Sequence, residues 1–387
     1  MQNTATTAPK KVYFNGVGLA TALGDTTEST LNAIQKNDHQ PTFVDIEKKE
    51  GKRSVPYHLI PNPSLALGAS RHHQIINKVI DEALHNAGLK KEDLKTMGLF
   101  VGSTSFDIFA VEQELQRSQK TDHDILVNMS GFQTLSEAIA QTHGITGPVY
   151  TFNTACSSSA NALLYAAEFV RSGKIDGALV LGVEFYNETT ACGFSSLELI
   201  SREGMRPFDK NRDGLVLGEG CGAMIISCEK PEHNYGIVAA ANIADTYSIT
   251  TCNPDGSSIA EVVSDALRQA HITHEDIHLV KAHGTASLSN DESEAAGLQR
   301  VFSTIPPVVS IKPYLGHTLG ACGIIELIVL FRSLLARQVL APRHPTEIDS
   351  DFKLRFMDSS YAFNTGYFLL NYFGFGGNNT ALVISND

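Results

Sequence analysis

The sequence predicts an α/β protein with largely parallel sheets, and this prediction rests on the alternation of two residue patterns along the chain. Short runs of β-branched and apolar residues alternate with amphipathic stretches along the whole chain, which is typical of α/β folds. The chain has 387 residues, of which 42% are hydrophobic and 19% charged. That length corresponds to roughly two or three domains, or to one large two-part core.

The elements can be assigned in chain order. The β-branched or apolar runs predicted as strands are residues 11–15, 97–101, 148–152, 177–182, 222–227, 278–282, 307–311, 366–373 and 380–385. Helices are predicted at 75–87 and 259–270, because their apolar residues fall on one face at a spacing of 3.6, and Gly88 would end the first of them. Two further helices, 157–171 and 321–336, are apolar on most faces and should be buried.

Two other stretches carry weaker signals. The Lys- and Glu-rich residues 45–53 are predicted to form a solvated loop. Residues 154–159 and 319–323 share a small-residue pattern around a cysteine, and each follows a strand and opens a buried helix. Two similar α/β halves would explain this, but the match is short, so duplication and coincidence both stay open on this feature alone.

The charge balance narrows the classes of function. Acidic residues number 42 against 30 Lys and Arg, giving a formal net charge of −12, which disfavours nucleic acid and anionic membranes as partners. The longest apolar stretch, 323–336, is interrupted by Glu326 and Arg332 and is shorter than the roughly 20 residues of a membrane span. The N-terminal residues lack a signal-peptide pattern. We therefore predict a cytoplasmic protein without membrane insertion.

One cysteine has an unusual setting. Six cysteines are too sparse for a disulfide scaffold, so reduced thiols are expected. Cys156 follows the β-run 149–152 after one tight connection and precedes three serines and an apolar helix. The N-terminal end of a helix favours a thiolate. Cys156 is therefore a candidate nucleophile, with an inert buried thiol as the alternative.

Two of the 14 histidines follow predicted strands. His283 ends the apolar run 277–282, and His317 lies between the strand at 307–311 and the helix at 321–336. Such strand ends are where α/β proteins build sites. Two imidazoles near a thiolate suggest acyl transfer, with a thioester on the cysteine and neutral N–H groups stabilising an oxyanion or enolate. A His–Cys metal site is the rival, but no tight ligand spacing supports it.

Glycine-rich segments are less specific. The residues GVG at 16–18 lack the third glycine of a dinucleotide fingerprint. The residues FGFGGNN at 373–379 lie between two predicted strands. They form either a hairpin turn or a place where backbone N–H groups approach a bound carbonyl.

The ordered set of motifs resembles the β-ketoacyl-acyl-carrier-protein synthases, in their elongating Cys-His-His class within the thiolase superfamily. The motifs are TACSSS at 154–159, PFDKNRDGLVLGEG at 207–220, HGT at 283–285, KPYLGHTLGA at 312–321 and GFGGNN at 374–379. The resemblance implies a thiolase fold with a five-layered αβαβα core made of two similar α/β halves. Residues 11–228 would carry the nucleophile, and residues 229–387 both histidines.

The resemblance also implies the reaction of a 3-oxoacyl-[acyl-carrier-protein] synthase. Cys156 would take the acyl chain, with the backbone N–H groups of Cys156 and Phe375 as the oxyanion hole and the Phe375 side chain as a gate. His283 and His317 would promote decarboxylation of a malonyl-carrier protein, and the resulting enolate would attack the thioester. Lys312 and Glu326 match a family lysine and carboxylate, and their pairing would hold the histidines in place.

Further residues are assigned by the same resemblance. Thr285 and Ser287 would meet the pantetheine arm. Acyl length would be set by a pocket for which we predict Phe106, Ile108 and Phe194, and Asn379, which closes the last motif, joins the substrate-binding set. Asn378 stands where the family commonly has threonine. The segment 185–201 is more similar to synthases of bacterial polyene-type pathways than to housekeeping enzymes.

The expected partners are an acyl carrier protein and a second subunit, either an identical chain or a chain-length-factor homologue. No metal or nucleotide cofactor is expected, since substrates arrive on phosphopantetheine. An acidic enzyme must dock an acidic carrier through a local basic patch; the residues predicted for it are Arg202, Arg206, Lys210 and Arg212. Two alternatives stay open. One is a non-condensing acyltransferase of the same superfamily, and the other is a subunit that mainly shapes a partner's acyl tunnel.

Overall fold

Strands and helices alternate along the chain, as the residue pattern predicts. The computed structural model describes residues 10–37, 40–48, 51–61, 69–105, 108, 111–112, 115, 131–343 and 347–387. Its strands are β1 Val12–Thr21, β2 Thr42–Lys48, β3 Gly51–His58, β4 Gly98–Gly102, β5 Val149–Phe152, β6 Gly177–Glu184, β7 Leu217–Gly218, β8 Gly220–Ser227, β9 Gly236–Ala244, β10 Ile277–Lys281, β11 Val308–Val309, β12 Tyr367–Phe373 and β13 Asn378–Ser385. Its helices are α1 Thr27–Lys36, α2 Ala69–Ala87, α3 Gln133–His143, α4 Ser158–Arg171, α5 Glu188–Ser196, α6 Ser257–Ala270, α7 Leu288–Val301, α8 Lys312–Leu315 and α9 Cys322–Leu335.

The large sheet repeats one strand order twice. From one edge to the middle it runs β5-β4-β6-β8-β1, and from the other edge β11-β10-β12-β13-β9. If the five strands of each set are numbered in chain order, both sets read 3-2-4-5-1. The two sets meet where β1 pairs with β9. This repeated topology supports the duplication that the short sequence match left open.

Strand directions are mixed in both sets, whereas the sequence analysis expected largely parallel sheets. The three outer strands of each set are parallel, and the two inner ones are antiparallel to their neighbours. One cause is visible in the chain. Strand β13 follows β12 after only the turn at 374–377, and so short a connection joins antiparallel strands only.

Helices α4 and α9 pack against each other between the two sets of strands. The outer face of the first set is covered by α2 and α3, and that of the second by α6 and α7. The order is therefore helix, sheet, helix, sheet, helix, which is the five-layered core that the resemblance implies. Both central helices are largely buried, as their apolar composition predicts. A Cβ on Gly323 would overlap the backbone of Ala160, so α9 can approach α4 this closely only with glycine there.

Two local interpretations are settled by the structure. The charged residues 45–53 are not a loop, because they lie largely within the antiparallel hairpin of β2 and β3. Ile46 and Val55 on this hairpin are buried. The residues GVG at 16–18 lie inside strand β1, not in a nucleotide-binding turn. Among the described residues, no helix has the length and apolarity needed to cross a membrane.

Candidate active site

A sharp turn between strand β5 and helix α4 carries Cys156. Ala155 has a φ of +52°, a left-handed value that costs a non-glycine residue about 1 kcal/mol or more. Ser158 holds the turn, because its Oγ donates to the Ala155 carbonyl at 2.6 Å and accepts from the Thr154 N–H at 2.9 Å. Cys156 is 5% exposed, and α4 begins two residues later. The predicted strand-to-helix position of this thiol is confirmed.

The segments between β10 and α7 and between α8 and α9 bring two histidines to the thiol. His317 Nε2 lies 3.1 Å from Cys156 Sγ, and the rings of His283 and His317 meet edge to face with centroids 5.5 Å apart. One sulfur or nitrogen atom from each of the three side chains lies within 4.8 Å of the other two. Because a cluster of this size also has the dimensions of a metal site, the absence of a metal stays a prediction.

A buried ion pair lies behind His283. Lys312 Nζ is 2.8 Å from Glu326 Oε1, and both side chains are at most 2% exposed. Burial alone would lower the pKa of Lys312, but the Glu326 carboxylate holds it above the ordinary value. Lys312 donates to the His283 carbonyl at 2.7 Å and lies 3.3 Å from His283 Nδ1. An ammonium group only donates, so Nδ1 is the acceptor and Nε2 carries the ring proton.

Two charged residues that the sequence analysis did not assign to the site also contact it. Lys281 Nζ donates to Glu326 Oε2 at 2.6 Å and to the Asn371 carbonyl at 2.7 Å. Glu294 accepts from the backbone N–H groups of His283 at 2.8 Å and Gly284 at 2.9 Å. A lysine in an apolar strand, two residues before His283, was the available signal for Lys281.

Both imidazoles are neutral at physiological pH. Burial lowers the pKa of His283 well below its ordinary value, and the charges of Lys312 and Lys281 lower it further. Burial and the same two lysines also lower the pKa of His317. Neutral imidazoles can donate an N–H to a developing negative oxygen without competing as fixed cations.

The thiol is protonated in the resting site. Burial raises the pKa of Cys156 to about 11, although Lys312 and the backbone N–H groups of Phe375 and Cys156 oppose the rise. A nucleophilic sulfur must therefore lose its proton during the reaction, and His317 Nε2 at 3.1 Å is placed to take it. The same two N–H groups are those that the resemblance assigns to an oxyanion hole.

The turn between β12 and β13 forms part of a cavity that reaches Cys156. Gly376 and Gly377 both have a φ of +79°, which the tight turn requires and which glycine adopts without strain. Between the strand and these glycines, the Phe375 ring stacks on Phe194 with centroids 5.7 Å apart. The cavity has a volume of about 230 Å³. This arrangement fits the gate role that the resemblance assigns to Phe375.

The predicted substrate-binding residues have different positions. Thr285, Ser287 and Phe194 line the cavity. Ile108 is half-buried and is not part of the cavity wall formed by the described residues, and Phe106 lies outside the described residues. Asn379 is fully buried in β13, away from that wall. The assignment of Asn379 to substrate contact is therefore wrong for this conformation, because its side chain is enclosed by the core.

The assignment of Arg212 to the four predicted docking cations is also wrong, because its side chain is buried. Its side chain is 3% exposed and is paired with Glu292 at 3.1 Å. It also donates to the Asp209 carbonyl at 3.0 Å and stacks on the Phe352 ring. An arginine held this way stabilises the fold and cannot reach a partner protein.

The other three predicted docking cations are accessible to different degrees. Arg206 is paired with Glu203 at 3.0 Å, and Lys210 is paired with Glu347. Arg202 is exposed and forms no ion pair with any described residue. Of the predicted patch, Arg202 is thus the cation most available to an acidic partner.

A polar network that the sequence analysis missed joins the cysteine turn to the gate turn. Asn378 Oδ1 accepts from Ser157 Oγ at 2.7 Å, from Asn161 Nδ2 at 2.7 Å and from Asn242 Nδ2 at 2.8 Å. Ser157 follows the nucleophile, and Asn378 follows the gate glycines. The departure from threonine at 378 therefore provides one amide oxygen that holds three elements together.

Comparison with known proteins identifies the family. Residues 61–231 match the model of the beta-ketoacyl synthase N-terminal domain, and residues 235–346 match that of the beta-ketoacyl synthase C-terminal domain. The chain belongs to the beta-ketoacyl synthase family. It is accordingly an acyltransferase of the condensing class, as the ordered motifs predicted.

Three relatives of this beta-ketoacyl synthase illustrate the range of the family. The polyketide biosynthesis malonyl-ACP decarboxylase PksF of Bacillus subtilis is 27% identical, with 97% of this chain and 96% of the relative covered. The 3-oxoacyl-[acyl-carrier-protein] synthase 2 of Vibrio harveyi is 26% identical, with 97% and 98% covered. A ketosynthase, ApeO, solved in complex with its chain length factor from Xenorhabdus doucetiae, has a TM-score of 0.83 at 23% identity, with 100% of both chains covered. This last likeness establishes the thiolase-type fold.

Proposed function

We propose that this beta-ketoacyl synthase elongates an acyl chain held on Cys156 with a two-carbon unit from a malonyl-carrier protein. The single observation that carries the proposal is the buried Cys156–His317 contact of 3.1 Å beside a second, neutral histidine. A thiol with a base in contact can accept an acyl group. A neutral imidazole beside it can stabilise the enolate left by decarboxylation.

In the first step, Cys156 Sγ attacks the carbonyl carbon of an incoming acyl thioester. The sulfur–carbon bond to Cys156 forms and the bond to the carrier's sulfur breaks. The thiol proton passes through His317 Nε2, which lies 3.1 Å from Sγ, to the departing thiol. The backbone N–H groups of Cys156 and Phe375 hold the negative oxygen of the tetrahedral intermediate.

In the second step, the malonyl carboxylate leaves as CO2 and its bonding electrons form an enolate. His283 donates from Nε2–H to the enolate oxygen, a tautomer supported by Lys312 at Nδ1, and His317 lies beside it. The enolate carbon then attacks the acyl carbonyl, and the bond from that carbonyl to Cys156 Sγ breaks. The products are CO2, a β-ketoacyl thioester and a free Cys156 thiolate. The thiolate takes up a proton from solvent, since its first proton left with the carrier thiol.

We propose the cavity as the path of the phosphopantetheine arm. Thr285 and Ser287 line it with hydroxyl groups 3.0 Å apart, which suits the amide groups of such an arm. The Phe375 ring, stacked on Phe194, lies on the same wall and would have to rotate to admit a longer acyl chain. Substrates delivered this way require no resident cofactor at these residues.

We propose an acyl carrier protein as one partner and a second thiolase-fold subunit as another. Edge strand β5 has no neighbour on its outer side within the described sheet. Tyr150 on this strand is 43% exposed and Tyr165 on the adjacent helix 49%. Unpaired edges with exposed aromatic side chains suit pairing with another chain. That chain is either identical or a chain-length-factor homologue, such as the one in the ApeO complex.

Three finer assignments accompany this function. We propose that the chain divides into halves at 11–228 and 229–387, which the repeated strand order supports. We propose a cytoplasmic location, supported by six free cysteines, which reducing compartments preserve. The product is a fatty acid, a polyketide or a polyene, and a 3-oxoacyl product is common to all three.

A second candidate function is decarboxylation of malonyl-carrier protein without condensation. The name of the Bacillus subtilis relative favours it, whereas the Cys156–His317 pair favours condensation because decarboxylation alone needs no acyl acceptor. A subunit that only shapes a partner's tunnel is disfavoured for the same reason. A non-condensing acyltransferase would use Cys156 and leave malonyl groups intact.

Mass spectrometry of purified protein can separate these functions. With acyl- and malonyl-carrier proteins, the proposal expects acyl mass on the Cys156 peptide, CO2 release and a product two carbons longer. Cys156→Ala should lose acyl mass and product and keep CO2 release. CO2 release without product from the unaltered protein would establish the decarboxylase instead, and acyl mass without CO2 release the acyltransferase.

A further inference from the structure

His283 and five other residues form a closed ring of contacts. The ring runs from the His283 N–H to Glu294 (2.8 Å), from Glu294 to Asn371 Nδ2 (3.1 Å), from the Asn371 carbonyl to Lys281 (2.7 Å), from Lys281 to Glu326 (2.6 Å), from Glu326 to Lys312 (2.8 Å) and from Lys312 back to the His283 carbonyl (2.7 Å). All six residues are at most 2% exposed. His283 is therefore held from both sides of its backbone.

Within this ring, one carboxylate serves two ammonium groups. Lys281 pairs with Oε2 of Glu326, and Lys312 pairs with Oε1. Lys281 also lies over the Tyr372 ring at 3.6 Å, which further stabilises a cation. The two lysines and Glu326 together carry one net positive charge when all three are ionised. That charge faces His283, since Lys312 contacts its ring nitrogen.

We propose that Lys281 is a positioning residue for the condensing reaction. Lys281 shares Glu326 with Lys312, so that a net positive charge remains and keeps His283 a neutral Nε2–H donor. The inference rests on the proposed role of His283 and extends it to a residue that the motifs do not include. Without Lys281, Glu326 would neutralise Lys312 fully, and His283 would take up a proton more readily.

The charged and titratable groups around Lys281 agree with this role. Burial lowers the pKa of Lys281 to about 8, and Lys312 acts in the same direction against Glu326. The titratable groups that face it from the surrounding elements are Glu326 and Cys322 of α9, Lys312 of α8, Glu294 of α7, Tyr372 of β12, and the two histidines. Lys281 should therefore lose its proton first of the two lysines, near pH 8. His283 is already neutral at that pH, so the effect of the Lys281 charge is confined to the acid limb of the rate.

A matched pair of substitutions separates charge from shape. Lys281→Gln keeps polar atoms for Asn371 and Glu326 but removes the charge, and Lys281→Arg keeps the charge at all accessible pH values. The readout is the pH profile of CO2 release from malonyl-carrier protein. Lys281→Gln should leave the rate at pH 7.5 within about twofold, because His283 is neutral there in both proteins, and should move the acid limb up by about one pH unit. Lys281→Arg should keep the acid limb where the unaltered protein has it.

The same shift of the acid limb in both variants, or an unshifted acid limb in Lys281→Gln, would overturn the proposal. If arginine does not fit the core, Lys281→Gln with Glu326→Gln restores one net positive charge, and its acid limb should return toward that of the unaltered protein. Failure of the acid limb to return would also refute the role of charge.

The proposal can also be tested if the unaltered protein releases no CO2. NMR of 13C-labelled histidine, with His283→Gln to assign the signal, follows protonation of His283 without substrate. The signal should stay that of neutral imidazole well below pH 6.5 in the unaltered protein and titrate about one pH unit higher in Lys281→Gln. The same titration in both proteins would refute the inference independently of the reaction.

Discussion

Replacing His283 with alanine should separate the two half-reactions. His283 Nε2–H is proposed to hold the enolate oxygen, and loss of one preorganised donor costs about 10²- to 10³-fold in rate, or about 3–4 kcal/mol. Cys156 Sγ contacts His317 and not His283, so acylation should change by less than about tenfold. The fold should tolerate the change, because Lys312 keeps both Glu326 and the residue 283 carbonyl as partners.

The assay compares CO2 release with acyl mass on the Cys156 peptide in the same preparation. A matched control is His143→Ala, since His143 is also buried, has a lowered pKa from burial, and pairs with Asn77 at 2.9 Å on helix α2. The control should leave both readouts unchanged. Unchanged CO2 release in His283→Ala would refute the donor role, and equal loss of both readouts would show that His283 also serves acylation.

The pH dependence of the unaltered protein follows from the same geometry. Burial and the two lysines lower the pKa values of His283 and His317, so both imidazoles stay neutral as the pH falls through 6.5, where an exposed histidine would gain a proton. CO2 release should therefore show no acid inflection near pH 6.5 and should fall only at lower pH. An inflection at about 6.5 that disappears in His283→Ala would contradict the buried, charge-flanked imidazole described above.

Three further predictions address the turns and the docking surface. Gly374→Ala should slow acylation at least about tenfold, because the new Cβ would lie 2.9 Å from the Thr154 carbonyl and 3.3 Å from the Cys156 nitrogen. Gly193→Ala is the matched control. Its Cβ would meet nothing within 4 Å, so the acylation rate should not change. Asn378→Ala should lower the urea-measured free energy of unfolding by about 1–3 kcal/mol, since Ser157, Asn161 and Asn242 each keep another partner; a loss above about 5 kcal/mol would show that they do not. Arg202→Glu should raise the KM for acyl-carrier protein and not the KM for an acyl-pantetheine thioester. The control Arg212→Gln should lower the free energy of unfolding by about 3–5 kcal/mol with little change in the KM for acyl-carrier protein. The reverse pattern would show that Arg212, and not Arg202, contacts the carrier protein.

The parts of the fold that the sequence predicts well are those with a local physical signal. Helices α4 and α9 are apolar on most faces, and both lie between the two sets of strands. The hairpin of β2 and β3 was missed because its charge content was weighed without its alternation. Ile46 points into the core between exposed Asp45 and Glu47, a period of two that indicates a strand with one buried face.

In the candidate site, too, the residues with a local sequence signal could be predicted and those that depend on tertiary packing could not. Motif order places the cysteine and both histidines, because each follows a strand and carries its own glycine or small-residue signal. Lys281 meets Glu326 across 45 positions of sequence, and such a contact depends on how α9 packs behind β10. Whether a cation is exposed also depends on tertiary packing. Arg202 and Arg212 both lie in one polar stretch of the sequence, but packing buries Arg212 and leaves Arg202 exposed.

The repeated strand order gives a physical reason for the pairing of Cys156 with His317. Cys156 follows the third strand of the first set and precedes α4, while His317 follows the third strand of the second set and precedes α9. The two residues thus lie in corresponding strand-to-helix connections of the two halves, and packing α4 against α9 brings these connections together. The short match between residues 154–159 and 319–323 marks the corresponding connections in the sequence and aligns Cys156 with Cys322, five residues after His317. One half supplies the sulfur and the other the imidazole, so neither half alone contains the Cys156–His317 pair.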